Sequence, residues 1–246
     1  MLPDNIEFAI MKNYNEKLLY EGYESLIVAV FPYFYPEKTE LFSKYCSIYD
    51  YHTVVKDEFS EMLSKLECEY KIFTDISPFP EKKMAESLGL GEIGRNNLLL
   101  TEEYSSFVFI GEAAVKLSIP EKKHEPKKIC TGCNACVKSC PTGALSDGFK
   151  KELCLSYITQ TKKLTSGQED LMKGTACAFG CDICQLACPI TKNAQKTNIK
   201  KFEKPVLDLT KDMILSMTED EFKRRYSEFA FAYKGIEILK RNINLQ

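Results

Sequence analysis

Apolar positions recur along this chain with two spacings. The run Leu26–Phe31, inside SLIVAVFPYFY, is apolar throughout and stops at Pro32, which predicts a strand buried on both faces. Residues 50–66 place Val54, Val55, Phe59, Met62, Leu63 and Leu66 at helical spacing, with Asp50 where a helix N-cap belongs. Tyr70–Asp75 (YKIFTD) predicts a second strand. Pro78 and Pro80 break the chain after it, and a short helix is predicted from Glu81 to Leu88. SFVFIGEAAV, from Ser106 to Val115, predicts a third strand, while the mixed polarity of residues 1–24 predicts helix. In the tail, MTEDEFKRRY offers a capping box with Thr218 as N-cap and Glu221 three residues on, and Met217 can staple against Phe222. A final helix is predicted from Tyr233 to Arg241. The pattern as a whole predicts an α+β fold: an N-terminal α/β lobe over 1–118, a cysteine-rich domain over 119–200, and a short helical tail over 201–246 packed on the core.

Composition narrows the class. The 246 residues are 44% hydrophobic with a formal net charge of −2, so nothing marks a general nucleic-acid binder. Lysines gather on either side of the cysteine-rich domain, at 122, 123, 127 and 128 and again at 192, 196, 200 and 201. They read either as a solvated flank or as a docking surface for an electron donor or an RNA backbone. The first residues carry Asp4 and Glu7 and lack the pattern of a secretory signal, and no apolar run reaches the roughly 18 residues of a membrane span. A cytoplasmic protein without membrane contact is expected. In that compartment eleven cysteines do not form a disulfide scaffold, and nine of them crowd between Cys130 and Cys188, which points to metal ligation.

The crowding is ordered. CTGCNACVKSCP, from Cys130 to Pro141, has the spacing C-x2-C-x2-C-x3-C-P of bacterial two-cluster ferredoxins, in which the fourth cysteine serves the other cluster. CAFGCDICQLACP, from Cys177 to Pro189, repeats C-x2-C-x3-C-P from Cys181 onward. Zinc also favours thiolates, but it does not need interleaved triplets. Two [4Fe–4S] clusters are therefore expected. The first takes Cys130, Cys133, Cys136 and the distant Cys188. The second takes Cys140, Cys181, Cys184 and either Cys177 or Cys154, with spacing alone leaning to Cys177. Cys46 and Cys68 read as ordinary thiols.

Two clusters imply an electron relay, and a relay needs an acceptor. In the N-terminal lobe Asp75 closes a strand and enters the loop ISPFP. There it could serve as a proton donor whose pKa burial raises, or simply as a turn former. GLGEIGRNNL carries Gly89, Gly91 and Gly94. It is a poor dinucleotide fingerprint, since it does not follow a strand, and it reads better as backbone approaching a flat cofactor, with Arg95 and Asn96 for polar contacts, or as a structural loop. His52 in YDYH could position a substrate or cofactor group, or engage Asp50.

Taken together, DYH at Asp50–His52, the strand-end Asp75 with its proline loop, GLGEIGRNNLLL, SFVFIGE, the first cysteine motif, CLSYIT at Cys154–Thr159, GCDICQLACP, LSMTEDEF and LKRN resemble the epoxyqueuosine reductase family. The resemblance implies a cobalamin- and iron–sulfur-dependent oxidoreductase that completes queuosine in tRNA. It makes the N-terminal lobe the cobalamin-binding one and the cysteine domain a ferredoxin-like 2[4Fe–4S] unit. It implies Asp75 as the catalytic acid and His52, Gly91, Gly94, Arg95 and Asn96 at the corrinoid, with the glycines approaching the ring. It also implies Cys154, rather than Cys177, as the fourth ligand of the second cluster. A monomer fed by an external one-electron donor such as ferredoxin or flavodoxin is expected.

The chain departs from the family pattern in three places. Fuller members carry a C-terminal helical-repeat region that helps hold tRNA, whereas this chain stops after LKRNINLQ, which leaves the tRNA assignment short of binding surface. Glu92 replaces a tryptophan common in the family, and Ile48 replaces a small residue. Both changes are expected to affect the substrate end more than the redox end. The competing readings are a corrinoid reductase with another substrate and an iron–sulfur electron carrier without corrinoid.

Overall fold

A computed structural model describes residues 6–39 and 41–246. The strands and helices that organise the first half are β1 (Glu7–Met11), α1 (Glu16–Tyr20), β2 (Ser25–Pro32), α2 (Tyr51–Leu63), β3 (Tyr70–Thr74), α3 (Glu81–Ser87), β4 (Glu92–Ile93), β5 (Leu99–Leu100) and β6 (Val108–Val115). Four strands form one sheet in the order β1-β2-β6-β3, with every neighbouring pair antiparallel. The mixed α+β class is as expected, but the sheet of the N-terminal part is not the parallel kind that an α/β label implies. Hence Asp75 does not stand at the carboxyl edge of a parallel sheet.

β2 lies inside the sheet, and every one of its residues is buried. Its alternation sends Ile27, Ala29 and Phe31 into the layer under α2, and Leu26, Val28 and Val30 into the layer under α1 and α3. α2 supplies the five buried residues its periodicity predicts, from Val54 to Leu63, and Asp50 caps it by accepting the His52 N–H. Helix and sheet approach closely at Gly111. A Cβ there would stand 2.8 Å from Phe59 Cε2 and 3.0 Å from Val55 Cγ1. Ile48 is fully buried in the same layer, so its size is absorbed by the core.

The helix expected over 1–24 is instead β1, a turn and α1 for the described part, with residues 1–5 outside the described residues. Antiparallel pairing of Glu7–Met11 with Leu26–Val30 outweighs local polarity here. The hairpin β4–β5 also went unpredicted.

Short helices carry the cysteine segment: α4 (Ala135–Ser139), α5 (Leu155–Ile158), α6 (Ser166–Met172) and α7 (Ile183–Leu186). The tail contributes α8 (Lys211–Ser216), α9 (Glu219–Tyr226) and α10 (Ile236–Asn244). Thr218 caps α9 through the Glu221 N–H at 3.3 Å, but the Glu221 carboxylate turns to Arg225, so only half of the expected capping box forms. Met217 and Phe222 are buried in one cluster, as the staple requires. The last helix starts three residues later than expected, after a 3₁₀ turn at Ala232–Lys234 and Gly235 in the left-handed region at φ 82°. Asn242, fully buried on α10, donates to the carbonyls of Thr159 (2.8 Å) and Ala178 (2.7 Å). This fixes the tail to the cysteine segment. Among the described residues no helix is long and apolar enough to cross a membrane.

Candidate active site and cysteine cavities

The sheet's end, the α2 N-terminus and the cysteine segment enclose a cavity of about 560 Å³. Its walls include Asp75, His52 and Asn96 as well as Cys140, Cys154, Cys181 and Cys184. Cys177 is not among the lining residues. It stands behind Cys181, to which it is hydrogen-bonded. Burial together with neighbouring Cys154 and Cys140 pushes the Cys184 thiol up to about 12. A second, small cavity of about 20 Å³ gathers Cys130, Cys133, Cys136 and Cys188, with Arg95 and Asn96 beside them. Both sets of four expected from the sequence are thus brought together, each around its own space. Cys46 is fully buried, and burial raises the pKa of both Cys46 and Cys68, as suits unreactive thiols.

The acid–base centre is assembled by α2 and the turn after β3. Tyr51 stacks on Phe109 with centroids 4.3 Å apart and planes 8° from parallel, and the His52 ring lies 4.0 Å from the Tyr51 ring. His52 Nδ1 is 2.7 Å from Asp50 Oδ1, and its Nε2 is 3.7 Å from Asp75 Oδ2. Asp75 holds a left-handed backbone at φ 62°, unusual for a residue with a side chain and the kind of local strain that collects at functional sites. The hydrogen bond to Asp50, then the nearby Asp75 carboxylate, lifts the His52 pKa to about 9. Asp75 is held below the ordinary carboxylate range, first by His52, against some desolvation, and then by Tyr51. The expectation that burial raises Asp75 is therefore overturned. Its side chain is 63% exposed, and the proton of the pair rests on His52 at neutral pH.

The glycine segment also differs from expectation. Gly91 and Gly94 do not line the large cavity. A Cβ on Gly91 would meet the Leu100 carbonyl at 2.4 Å, and one on Gly94 would meet Leu100 Cδ1 at 2.7 Å, so these glycines let the β4–β5 hairpin close on itself. Arg95 faces the small cavity instead of the large one, and only Asn96 reaches both. Glu92 lies at the redox end, against expectation. Its carboxylate accepts the backbone N–H groups of Ile129 and Cys130 and pairs with Lys128 at 2.6 Å. Of the flanking lysines, Lys127 pairs with Glu7, Lys201 with Asp57, and Lys122 lies over the Phe8 ring, so these are engaged within the fold.

Sequence reasoning missed Asp182, Gln185 and Glu81. Asp182 accepts the Lys44 N–H at 2.6 Å and the Gln185 amide at 3.0 Å, while Ser106 donates to Gln185, which joins β6's approach to the cysteine segment. Asp182 and Gln185 lay in plain view inside GCDICQLACP, but attention to cysteine spacing hid them.

Residues 129–191 match a family model described as a 4Fe-4S double cluster binding domain, which makes this an iron–sulfur protein. An epoxyqueuosine reductase of Cellulophaga algicola is 33% identical over 98% of this chain and 84% of its own length. One from Cyclobacterium marinum is 31% identical over 95% and 79%. The chain belongs to the epoxyqueuosine reductase family of oxidoreductases. Its fold matches the epoxyqueuosine reductase of Streptococcus thermophilus with a TM-score of 0.77 at 24% identity, over 98% of this chain and 77% of that one. An epoxyqueuosine reductase structure with an epoxyqueuosine-modified tRNA stem loop aligns with a TM-score of 0.81 at 22% identity, over 98% and 76%.

Proposed function

We propose that this protein reduces epoxyqueuosine in tRNA to queuosine, with two [4Fe–4S] clusters and a corrinoid. The observation that carries the reading is the large cavity, whose lining includes Cys140, Cys154, Cys181 and Cys184 together with the Asp75–His52 pair. A bare electron carrier has no use for such a space.

The donor sets fit the groups. Among the described residues no three Cys, His, Asp or Glu side chains converge as a single metal ion requires. Four thiols spread around a cavity suit a cube of four irons better than one zinc. Cys130, Cys133, Cys136 and Cys188 would hold one cluster, and the cavity-lining four the other, with Cys177 in reserve. The large cavity suits a flat macrocycle in its mixed walls, which include Asn96, Asn97, Leu98, Val108, Ile110 and Gln160. Its rim is open, with Tyr233 71% exposed, so peripheral groups can reach out. When bound, the clusters and corrinoid supply the low-potential electrons, taken from an external donor such as ferredoxin or flavodoxin.

The protein's own residues handle protons. Removing an epoxide oxygen as water and leaving a carbon–carbon double bond consumes two electrons and two protons. Asp50 and Asp75 keep His52 protonated at neutral pH, so the site starts with a proton in place. Asp75, at the cavity edge, presents it to the oxygen, while Tyr51 fixes the carboxylate by a hydrogen bond. Val108, Phe109 and Ile110 give the cavity an apolar stretch of wall that limits water there.

The test is anaerobic reconstitution with iron, sulfide and cobalamin, followed by a strong reductant and epoxyqueuosine-containing tRNA. Queuosine should form. Its absence under conditions where the Cellulophaga relative works would refute the proposal.

A further inference from the structure

Glu112 is a single carboxyl group in an otherwise apolar strand. Alternation along β6 puts Gly111 and Ala113 under α2 and Glu112 with Ala114 in the opposite layer, beneath α3. Its cross-strand neighbours there are Val28 and Phe73. The residue is fully buried, and neither carboxyl oxygen has a hydrogen-bond partner. An unpaired carboxylate in such a place costs several kcal/mol, so a protonated acid is the form that fits.

Two further observations connect it to the site. Val108 and Ile110 lie on the same face of β6 and line the large cavity, so Glu112 is the next step inward, about 7 Å beyond Ile110. Glu81, the first residue of α3, acts on Glu112 from above and itself lines the cavity, with one carboxyl oxygen buried and unpartnered. Glu81 in turn is under the influence of Asp75 and receives a hydrogen bond from its backbone. Burial, then repulsion from Glu81, raises Glu112 to about 8, and burial, then repulsion from Asp75, raises Glu81 to about 7. The other polar groups facing the pair are few. Ser77, in the loop before α3, favours the Glu112 carboxylate slightly, and Lys82 directs its ammonium to the Asn97 carbonyl at 2.6 Å. Tyr51 and His52 address Asp75 from α2.

We propose that Glu112 and Glu81 form a proton store behind Asp75, which reloads the Asp75–His52 pair after each proton it gives up. This rests on the proton-consuming reduction proposed above. The steps balance: once the pair has given up its proton, the Glu81 acid passes one by way of the Asp75 carboxylate to neutral His52, the Glu112 acid reprotonates Glu81, and a solvent hydronium ion or buffer acid at the cavity mouth returns a proton through Glu81 to Glu112. One proton already on His52 and one drawn from the store match the two that the reduction consumes.

The cluster-loaded protein should show, by infrared spectroscopy, a protonated-carboxyl C=O stretch that persists at pH 6 and titrates away with midpoints near 7 and 8. Glu112→Gln should abolish the higher midpoint and Glu81→Gln the lower. In single-turnover reduction, each variant should fall about ten-fold above pH 7.5 and gain a solvent deuterium isotope effect absent from the wild type. A wild-type protein with no protonated carboxyl band at pH 6 overturns the store, and this result needs no variant to fold. Variants that lose the band but keep the wild-type pH–rate profile overturn the relay. The infrared arm involves no tRNA, so failure of the substrate assignment leaves it decisive.

Discussion

Asp50→Asn isolates the charge that sets the acid–base centre. Asparagine caps a helix about as well as aspartate, so α2 keeps its N-terminus, and what disappears is the carboxylate 2.7 Å from His52 Nδ1. His52 stands at about 9 against an ordinary 6.5, a difference equivalent to about 3 kcal/mol at 1.36 kcal/mol per pKa unit. The ring is 33% exposed, and solvent screening reduces the usable part to about 1–2 kcal/mol. Because the folded pKa is raised, that stabilisation is complete below pH 6.5 and is lost as pH rises through about 9. Asp50 itself is lowered, by its bonds to His52 against desolvation, so its contribution is lost only at the acid end, as pH falls through that depressed value. The variant should show a His52 titration midpoint lower by about one to two units, with Asp75 as its remaining partner. Its stability should change less between pH 6 and 9.5 than that of the wild type. Ring-proton NMR is readable because the chain has two histidines, and His124 is tied elsewhere, to the Phe8 carbonyl. Denaturant unfolding at the two pH values gives the energy. An unchanged His52 midpoint in Asp50→Asn refutes the reasoning.

Three further outcomes are expected. Cys154→Ser should cost about half of the iron bound on reconstitution, whereas Cys177→Ser should keep a full complement; iron and sulfide assays separate them. Glu92→Gln removes a negative charge from beside the Cys130 backbone and should raise the reduction potential of the neighbouring cluster in an EPR-monitored redox titration. Asn242→Ala leaves the Thr159 and Ala178 carbonyls without their donor and should destabilise the protein by about 2–3 kcal/mol in chemical unfolding, with faster proteolysis of the tail.

Local signals in the chain identified the sheet's centre and the cysteine motifs, whereas spacing alone left the eighth cysteine open between Cys154 and Cys177. β2 is apolar at every position because both faces are covered, and α2 shows its buried stripe because only one face is. The Asp50 cap was equally local. What stayed hidden depends on partners far along the chain. β1 is a strand because β2 pairs with it, and nothing in its own mixed polarity says so. The glycines of GLGEIGRNNL showed that something approaches closely, but not that the intruder is Leu100 of the same hairpin. Asp75 looked like an acid with a raised pKa until the fold set it beside His52, 23 residues earlier in the chain. Glu92 was misplaced for a related reason: its partners are backbone N–H groups 37 and 38 residues away, and backbone groups leave no mark on sequence. Glu112 was readable in principle, as a lone acid inside VFIGEAAV, had its alternation been weighed against the apolar strand around it.

The anchoring of α10 by Asn242 bears on how the protein is made. The carbonyls it holds belong to Thr159 and Ala178, which flank the route from Cys154 to Cys181, and Ala230 and Tyr233 close one side of the large cavity. During synthesis the cysteines leave the ribosome well before these residues do. Until the tail arrives, the cavity-lining thiols lack part of their wall and are open to oxygen and to scavenging metals. Scaffold-delivered iron and sulfide would thus have a loading window while the tail is still undocked.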